Sequence, residues 1–96
     1  MTLKIWWSHN ARNELDEIDV YFADKNPDYA DRIGDAILHA TRLLSEHSEA
    51  GPAVAPTGTR KWVVVGTPYI LLYRPDGPLL RVLHVVHAKR DWTRFL

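Results

Sequence analysis

The chain has 96 residues, of which 46% are hydrophobic, and a formal net charge of zero at pH 7, values that fit one small packed domain and exclude a disordered chain. The absence of cysteine excludes a disulfide scaffold, a thiolate metal site and a cysteine nucleophile, and it fits the reducing cytoplasm. Because residues 1–7 lack the apolar run of a signal peptide and no stretch approaches the roughly eighteen apolar residues of a membrane span, we expect a cytoplasmic protein without a membrane partner.

A short strand followed by a helix is predicted at the start of the chain. Lys4–Trp7 has the composition of a strand, and Ser8 is the expected N-cap, because its hydroxyl can accept a free N–H of the first helical turn. The apolar residues that follow recur at helical spacing and form one face, namely Ala11, Leu15, Ile18 and Phe22. Trp6 and Trp7 are adjacent in the strand, so one of them faces the core and the other faces away.

A second helix is predicted after a short connection. Asn26 is a favourable cap, and Pro27 at the first helical position loses no helical hydrogen bond. The apolar stripe of this helix consists of Ala30, Ile33, Ile37, Ala40 and Leu44. Two amphipathic helices joined so closely predict an antiparallel hairpin, and Gly34 predicts that the helices approach each other closely at that point.

Three strands are predicted in the second half of the chain. Ser48–Thr59 is rich in proline and glycine and is predicted to be a loop. The three runs after it are rich in β-branched and aromatic residues, and they are Arg60–Val65, Tyr69–Arg74 and Leu79–His87. Turn residues separate the runs, which predicts an antiparallel meander. We therefore predict an α+β fold with the element order β-α-α-β-β-β.

Charge is divided unevenly between the two halves of the chain. Residues 1–49 hold ten acidic and five basic side chains, whereas residues 50–96 hold seven basic and two acidic ones. A basic half indicates a negatively charged partner, which could be nucleic acid or an acidic surface of another protein. The alternative is that the predicted helices simply carry more acidic residues than the strands do.

Several local signatures occur together along nearly the whole chain. They are Ala11…Leu15…Ile18…Tyr21, Asn26-Pro27…Ala30, Gly58-Thr59-Arg60, Thr67-Pro68-Tyr69…Leu72-Tyr73-Arg74 and Val82-Leu83-His84…His87-Ala88-Lys89-Arg90-Asp91-Trp92. With these signatures at these spacings, the chain resembles the ParE branch of the RelE/ParE toxin superfamily. The resemblance implies one ParE-like domain over residues 1–96, in which an N-terminal strand and a helical hairpin pack on a twisted antiparallel sheet.

The resemblance also implies a partner and a target. A ParE-like toxin of a type II toxin–antitoxin system is neutralised by direct binding of a ParD-like antitoxin, inhibits growth by poisoning DNA gyrase, and needs no cofactor or metal. Such systems are associated with plasmid stabilization. RelE-like toxins on the same fold instead cut messenger RNA in the ribosome, and a degenerate toxin that only binds its antitoxin and takes part in autoregulation is a third alternative. Fold alone cannot choose between these functions.

Two positions count against the nuclease alternative. RNA cleavage needs groups that move protons and neutralise charge on the phosphate. RelE-like nucleases place an arginine in a third-strand pattern Tyr-Arg-x-x-Tyr, where this chain has Ile70 between Tyr69 and Tyr73. They commonly end in Arg-Asp-Val-Tyr, where this chain has Thr93 in place of the tyrosine. We therefore predict a non-enzymatic inhibitor without catalytic residues.

Two pairs of side chains in the strands could carry chemistry or could be structural. His84 and His87 could form a metal or acid/base pair, but three residues apart on a strand they point to opposite faces. We therefore favour a structural role, in which His84 lies within the sheet with its polar edge hydrogen-bonded and His87 lies near the basic surface group. Tyr69 and Tyr73 share one face of their strand and could stack on nucleic-acid bases, but core packing is the favoured interpretation.

Two groups of residues are expected to bind partners. The target-binding group is basic and aromatic, as interface hot spots are, and it consists of Lys89, Arg90, Trp92, Arg94 and Phe95. These residues follow the last strand, so we expect Lys89–Leu96 to contribute little to the fold. The alternative is that Trp92 or Phe95 folds back and covers part of the core. The antitoxin-binding group consists of Trp7, Leu15, Ile18, Phe22, Ile37, Arg60 and Arg81. We expect acids of the antitoxin near Arg60 or Arg81, its apolar side chains in a groove of the helices, and no direct nucleic-acid specificity.

Overall fold

The computed structural model describes every residue from Met1 to Leu96. Its strands and helices follow the predicted order, and they are β1 (Lys4–Trp7), α1 (His9–Ala23), α2 (Pro27–Glu46), β2 (Arg60–Val63), β3 (Tyr69–Asp76) and β4 (Leu79–His87). The β2 strand is shorter and the β3 strand is longer than predicted. A 3-10 helix at Trp92–Phe95, which the sequence did not predict, follows β4. None of the helices combines the length and hydropathy that crossing a membrane requires.

Both helices begin at the predicted caps. The Ser8 hydroxyl accepts a hydrogen bond from the Ala11 N–H at 2.9 Å, and the Asn26 side-chain oxygen accepts one from the Tyr29 N–H at 3.1 Å. Each cap satisfies one of the N–H groups that a first helical turn leaves without a partner. Pro27 occupies the first turn of α2, where proline is tolerated. The local sequence therefore determines where each helix starts.

The sheet is mixed, with the strand order β1-β4-β3-β2. The strands β2, β3 and β4 form the predicted antiparallel meander. The β1 strand pairs parallel with β4, with Trp7 opposite Val82, so the sheet is not wholly antiparallel as the resemblance implied. Parallel pairing needs a long connection, and the chain between β1 and β4 contains the helical hairpin, the loop after it and the strands β2 and β3.

The main hydrophobic core lies between the two helices and one side of the sheet, which we call the helix face. It contains eleven buried residues, drawn from both helices and from β3 and β4 with Val64 just after β2. Because side chains alternate along a strand, Leu71 and Tyr73 of β3 enter this core while Leu72 points to the opposite side, the outer face. Tyr69 is partly buried and also packs against the main core, so both tyrosines take part in core packing as predicted.

A second, smaller cluster lies on the outer face. It consists of Ile70, Leu72 and Val86, and the partly buried Trp92 and Phe95 pack against it. The last turn of the chain thus covers apolar surface that the sheet would otherwise expose, and removing that cover would cost hydrophobic stabilisation. The prediction that Lys89–Leu96 contributes little to the fold is therefore wrong.

Gly34 does not mark a close approach of the helices. A Cβ added at this position would meet no atom within 4 Å. The residue instead lines an open groove of about 240 Å³ between α1 and α2. The predicted reason for this glycine is wrong, because the hairpin is held by the larger apolar side chains on either side of the groove.

Ionisation of the Tyr73 hydroxyl should lower the stability of the protein at alkaline pH. Its buried hydroxyl donates a hydrogen bond to the Ser48 carbonyl at 2.9 Å and accepts one from the Gly51 N–H at 3.0 Å. Burial raises the pKa of Tyr73 above its usual value of 10.0. As pH rises, the Tyr73 hydroxyl therefore loses its proton in the unfolded chain before it does so in the folded protein. The contribution of the protonated Tyr73 to stability is complete below about pH 10 and is lost as pH rises through the folded-state pKa.

Tyr73→Phe is therefore expected to lower the free energy of unfolding near neutral pH by about 1–3 kcal/mol, because it leaves two buried backbone groups unpaired. It should also reduce the fall in stability above about pH 10. Urea unfolding at several pH values measures both effects. Tyr21→Phe, at an exposed tyrosine, is the control, and equal pH profiles for the two variants would contradict the assignment.

Candidate functional site

The outer face of the sheet carries a stacked arginine at the β1 side. Trp6 is 41% exposed, and the Arg81 guanidinium lies over its ring at 4.7 Å from the centroid. Asp76 accepts a hydrogen bond from the Arg81 Nε at 2.8 Å. Arg74 is opposite Arg81 in the pairing of β3 with β4, so both guanidinium groups emerge on this face.

The C-terminal segment crosses the other half of the outer face. After β4 ends, the Lys89 N–H donates a hydrogen bond to the His87 Nδ1 at 3.1 Å. This bond lies in the turn that directs the chain back over the sheet. Asp91 caps the 3-10 helix by accepting from the Thr93 N–H at 3.2 Å. Trp92 and Phe95 consequently point down onto the sheet, while the basic side chains of the segment remain exposed.

Two further cations are stacked on the aromatic residues of this segment. The Lys61 Nζ lies 4.5 Å from the Trp92 ring centroid, and the Arg90 guanidinium carbon lies 5.4 Å from the Phe95 centroid. Together with the Arg81 and Trp6 pair, the outer face holds three cation–aromatic pairs. Such pairs hold the cations in position. Arg81 is also paired with Asp76, whereas Lys61 and Arg90 form no salt bridge, so this face presents positive charge beside aromatic surface and fits an acidic partner.

The predicted target-binding residues therefore lie together. Trp92 and Phe95 form the base of the C-terminal segment, and Lys89, Arg90 and Arg94 are exposed around them. The sequence analysis missed that Lys61 from β2 joins this group through the Trp92 ring. Strand alternation alone could have placed Lys61 on the side of the sheet opposite to Trp62, but only the fold of the segment brings Trp92 to it.

A carboxylate on α1 completes the hydrogen bonding of the β4 edge. Because β1 ends at Trp7, the β4 backbone beyond Val82 has no strand partner there. The Ser8 hydroxyl donates to the Leu83 carbonyl at 2.6 Å, and the Val85 N–H donates to Glu14 Oε1 at 2.9 Å. These side chains replace the missing strand. The sequence analysis did not single out Glu14, since a carboxylate on a helix is normally solvent-exposed.

The two strand histidines are on opposite faces, as predicted. His84 Nδ1 lies 3.2 Å from Glu14 Oε2, and its ring lies 4.7 Å from that of Phe95 on the outer face. His87 packs against the ring of Tyr69 at 5.4 Å on the helix face. The prediction that the polar edge of His84 is hydrogen-bonded is thus confirmed, with Glu14 of α1 as the partner. The chain has no group of three or more His, Cys, Asp or Glu residues placed to hold a metal ion.

Two of the predicted antitoxin-binding residues belong to the core packing, Trp7 partly and Ile37 completely. Trp7 pairs with Val82 on the helix face and packs against the main core, so the outward tryptophan of the pair is Trp6. Ile37 is 0% exposed beneath α2. The choice of Trp7 as the outward tryptophan was wrong, and Ile37 cannot contact a partner because it is fully buried between the helices and the sheet.

The remaining predicted antitoxin-binding residues do not form one surface. Leu15, Ile18 and Phe22 are half-buried on α1 and pack against the main core. The Arg60 guanidinium donates to the Gly51 carbonyl at 2.6 Å, while Arg81 is on the outer face. The two arginines therefore do not lie together, and the placement of antitoxin acids near Arg60 or Arg81 stays a prediction.

The groove between the helices is also acidic at its rim. Its apolar walls include Leu15 and Ile18, which were predicted, and Asp16 and Asp19 lie beside them. An apolar segment bound there would meet negative charge, so acids of a partner would be repelled. The groove therefore suits apolar side chains of a partner, and its occupation by apolar side chains of the antitoxin stays a prediction.

Comparison with known proteins gives consistent results. The family model for the ParE toxin of the type II toxin–antitoxin system parDE matches residues 5–92. The protein Y4kP of Sinorhizobium fredii, whose name suggests a toxin, is 33% identical over 93 residues, which cover 97% of this chain and 96% of the relative. A solved structure of the chromosomal ParDE toxin–antitoxin system from P. aeruginosa superposes with a TM-score of 0.75 at 20% identity. That match covers 90% of this chain and 96% of the other, and it shows a shared fold.

Proposed function

The chain belongs to the family of ParE toxins of type II toxin–antitoxin systems, and we propose that it inhibits DNA gyrase in the cytoplasm until a ParD-like antitoxin binds it directly. The family match supports the toxin role and the antitoxin partner. The choice of gyrase as the target rests on the resemblance to ParE and on the character of the outer face. In this proposal the protein acts by binding and carries out no reaction.

The single observation that supports target binding by the outer face is the set of cations stacked on Trp6, Trp92 and Phe95. Aromatic and arginine side chains contribute most of the binding energy in many interfaces. Gyrase works on DNA, so an inhibitor that holds the enzyme on its substrate approaches a strongly negative assembly. Fixed positive charge speeds association with such a target and orients the complex.

The local geometry offers little support for RNA cleavage. Ile70, which stands where RelE-like nucleases have an arginine, is 1% exposed and lies beneath Trp92 and Phe95. The Thr93 hydroxyl, at the position of the nuclease tyrosine, is hydrogen-bonded to the carboxylate of Asp91. A phosphate bound beside Ile70 and Thr93 would contact neither an arginine at the Ile70 position nor a phenol at the Thr93 position. Those groups would therefore not stabilise the charge that develops in the transition state.

Purified protein is expected to block supercoiling by bacterial DNA gyrase and to increase cleaved DNA, and its expression should induce the DNA-damage response. A translating extract incubated with the same protein should keep its messenger RNA intact. Toxin premixed with its antitoxin is the control and should leave supercoiling unchanged. Site-specific transcript cleavage would favour the ribonuclease alternative, and the absence of both activities would indicate a degenerate toxin.

A further inference from the structure

The open edge of the sheet is at β2. This strand is last in the strand order, so one of its edges has no strand neighbour. Near its start that edge is covered by the preceding loop, because the Lys61 N–H donates to the Pro52 carbonyl at 3.1 Å. The Val64 N–H donates to Tyr69 of β3 at 3.0 Å on the opposite edge. Since backbone groups alternate along a strand, the N–H and C=O of Val63 point outward, away from β3.

Apolar side chains surround this open backbone. Val63 is 57% exposed and Val65 is 83% exposed. Exposed β-branched residues on an open strand edge favour association with another chain, and most edge strands carry charges or proline to prevent it. Lys61 is the single charged residue of β2 on the outer face, and its side chain lies on Trp92 and not across the open edge.

A groove lies on each side of the β2 edge. The groove toward α2, of about 500 Å³, has walls that include Ala36, Leu43 and Trp62. The groove on the outer face, of about 480 Å³, has walls that include Val54 and Trp92. Val65 borders both grooves. An added strand would send successive side chains to opposite faces, and therefore into these two grooves in turn.

We propose that an extended segment of the antitoxin pairs with the backbone of Val63, places alternate apolar side chains in the two grooves, and covers Trp92. This inference rests on the proposed function and adds where the antitoxin binds and how it neutralises. Strand addition supplies affinity through main-chain hydrogen bonds and specificity through pockets for alternate side chains. The two grooves and the unpaired Val63 backbone provide both features.

The charge around the outer groove favours an acidic segment. The salt bridges of the chain join Arg81 to Asp76 and His84 to Glu14, so the Lys61 ammonium has no carboxylate partner. An aspartate or glutamate in the antitoxin segment would supply one. A second copy of this chain would not, because β2 around Val63 contains only basic and apolar residues. We therefore assign the edge to the antitoxin and not to a dimer of the toxin.

Binding at this edge would block the proposed target-binding surface. Trp92 forms part of the outer groove and also carries the Lys61 cation on its ring. A segment seated in the groove would bury the tryptophan and pair the lysine with an acid. Gyrase could then reach neither group, so the antitoxin would neutralise by covering part of the surface that acts on the target.

Val63→Pro tests strand addition directly, with Val63→Thr as the matched control. Proline is tolerated on an edge strand where its missing N–H would face solvent, while threonine keeps both the N–H and the branched shape. The probe is the protein encoded by the reading frame that adjoins the gene for this chain. We expect Val63→Pro to weaken its binding at least tenfold, a loss of about 1.4 kcal/mol, and Val63→Thr to bind within about threefold of the parent chain.

Hydrogen exchange of the unaltered chain provides a second measurement that needs no variant. The Val63 amide should exchange fast in the free protein and slowly in the complex. Unchanged exchange together with full affinity of Val63→Pro would overturn strand addition while leaving the antitoxin partnership intact. A neighbouring protein that does not bind the parent chain would contradict the proposed function as well. Slow exchange in a free chain that has the mass of a dimer would assign the edge to a second copy.

Discussion

Gly51→Ala is expected to lower the free energy of unfolding by about 3 kcal/mol or more, the upper part of the range for overpacked interiors. A Cβ at Gly51 would lie 2.4 Å from the Lys61 carbonyl oxygen and 2.8 Å from the Tyr73 hydroxyl. The first contact is with backbone, which cannot move without disturbing β2. The second is with the hydroxyl that anchors the loop to β3. For a domain of this size the melting temperature should fall by roughly 12–24 °C.

Gly34→Ala is the matched control and should act in the opposite direction. The position lies inside α2, and an added Cβ would meet nothing within 4 Å. Alanine in a helix interior is more stable than glycine by about 0.5–1 kcal/mol. Thermal unfolding of the two variants beside the parent chain measures both effects. A Gly51→Ala protein that melts with the parent would show that the loop can move away from Lys61.

The sequence was sufficient for the order of the two helices and four strands and for the starts of the helices. Ser8 and Asn26 each accept a hydrogen bond from an N–H three residues later. Because these contacts are local, the local sequence alone predicts where each helix begins. The alternation of β3 likewise separated Tyr69 and Tyr73 from Ile70 and Leu72. The resemblance to ParE, confirmed by the family match, supplied the packing of helices on one side of the sheet.

The candidate site depended on long-range contacts that no local pattern contains. The choice between Trp6 and Trp7 is determined by how β1 pairs with β4, a partner that lies at the other end of the chain. Glu14 looked like a solvent-exposed acid until the fold placed it at an unpaired strand edge. The contact of Lys61 with Trp92 required the C-terminal segment to fold back over the outer face, which its composition did not indicate.

Replacing both Arg90 and Arg94 with glutamate is expected to abolish growth inhibition while changing the melting temperature by no more than a few degrees. Both side chains are exposed. Exposed charges typically contribute less than about 1 kcal/mol to stability, so the fold should survive. Trp92 and Phe95 remain in place to cover Ile70, Leu72 and Val86. The loss of activity follows because the face that attracts an acidic target would become acidic itself.

Arg12→Glu with Arg42→Glu is the control, because it makes the same change in net charge at two exposed arginines of the helices. Growth of cells that express each double variant measures toxicity, and thermal unfolding measures stability. If toxicity depends on the C-terminal segment, only the Arg90 and Arg94 variant should lose it. If the Arg90 and Arg94 variant stays fully toxic, the assignment of target binding to the C-terminal segment is refuted. Loss of toxicity together with loss of the melting transition would instead mean that the segment acts through the fold, because Trp92 and Phe95 cover the outer cluster.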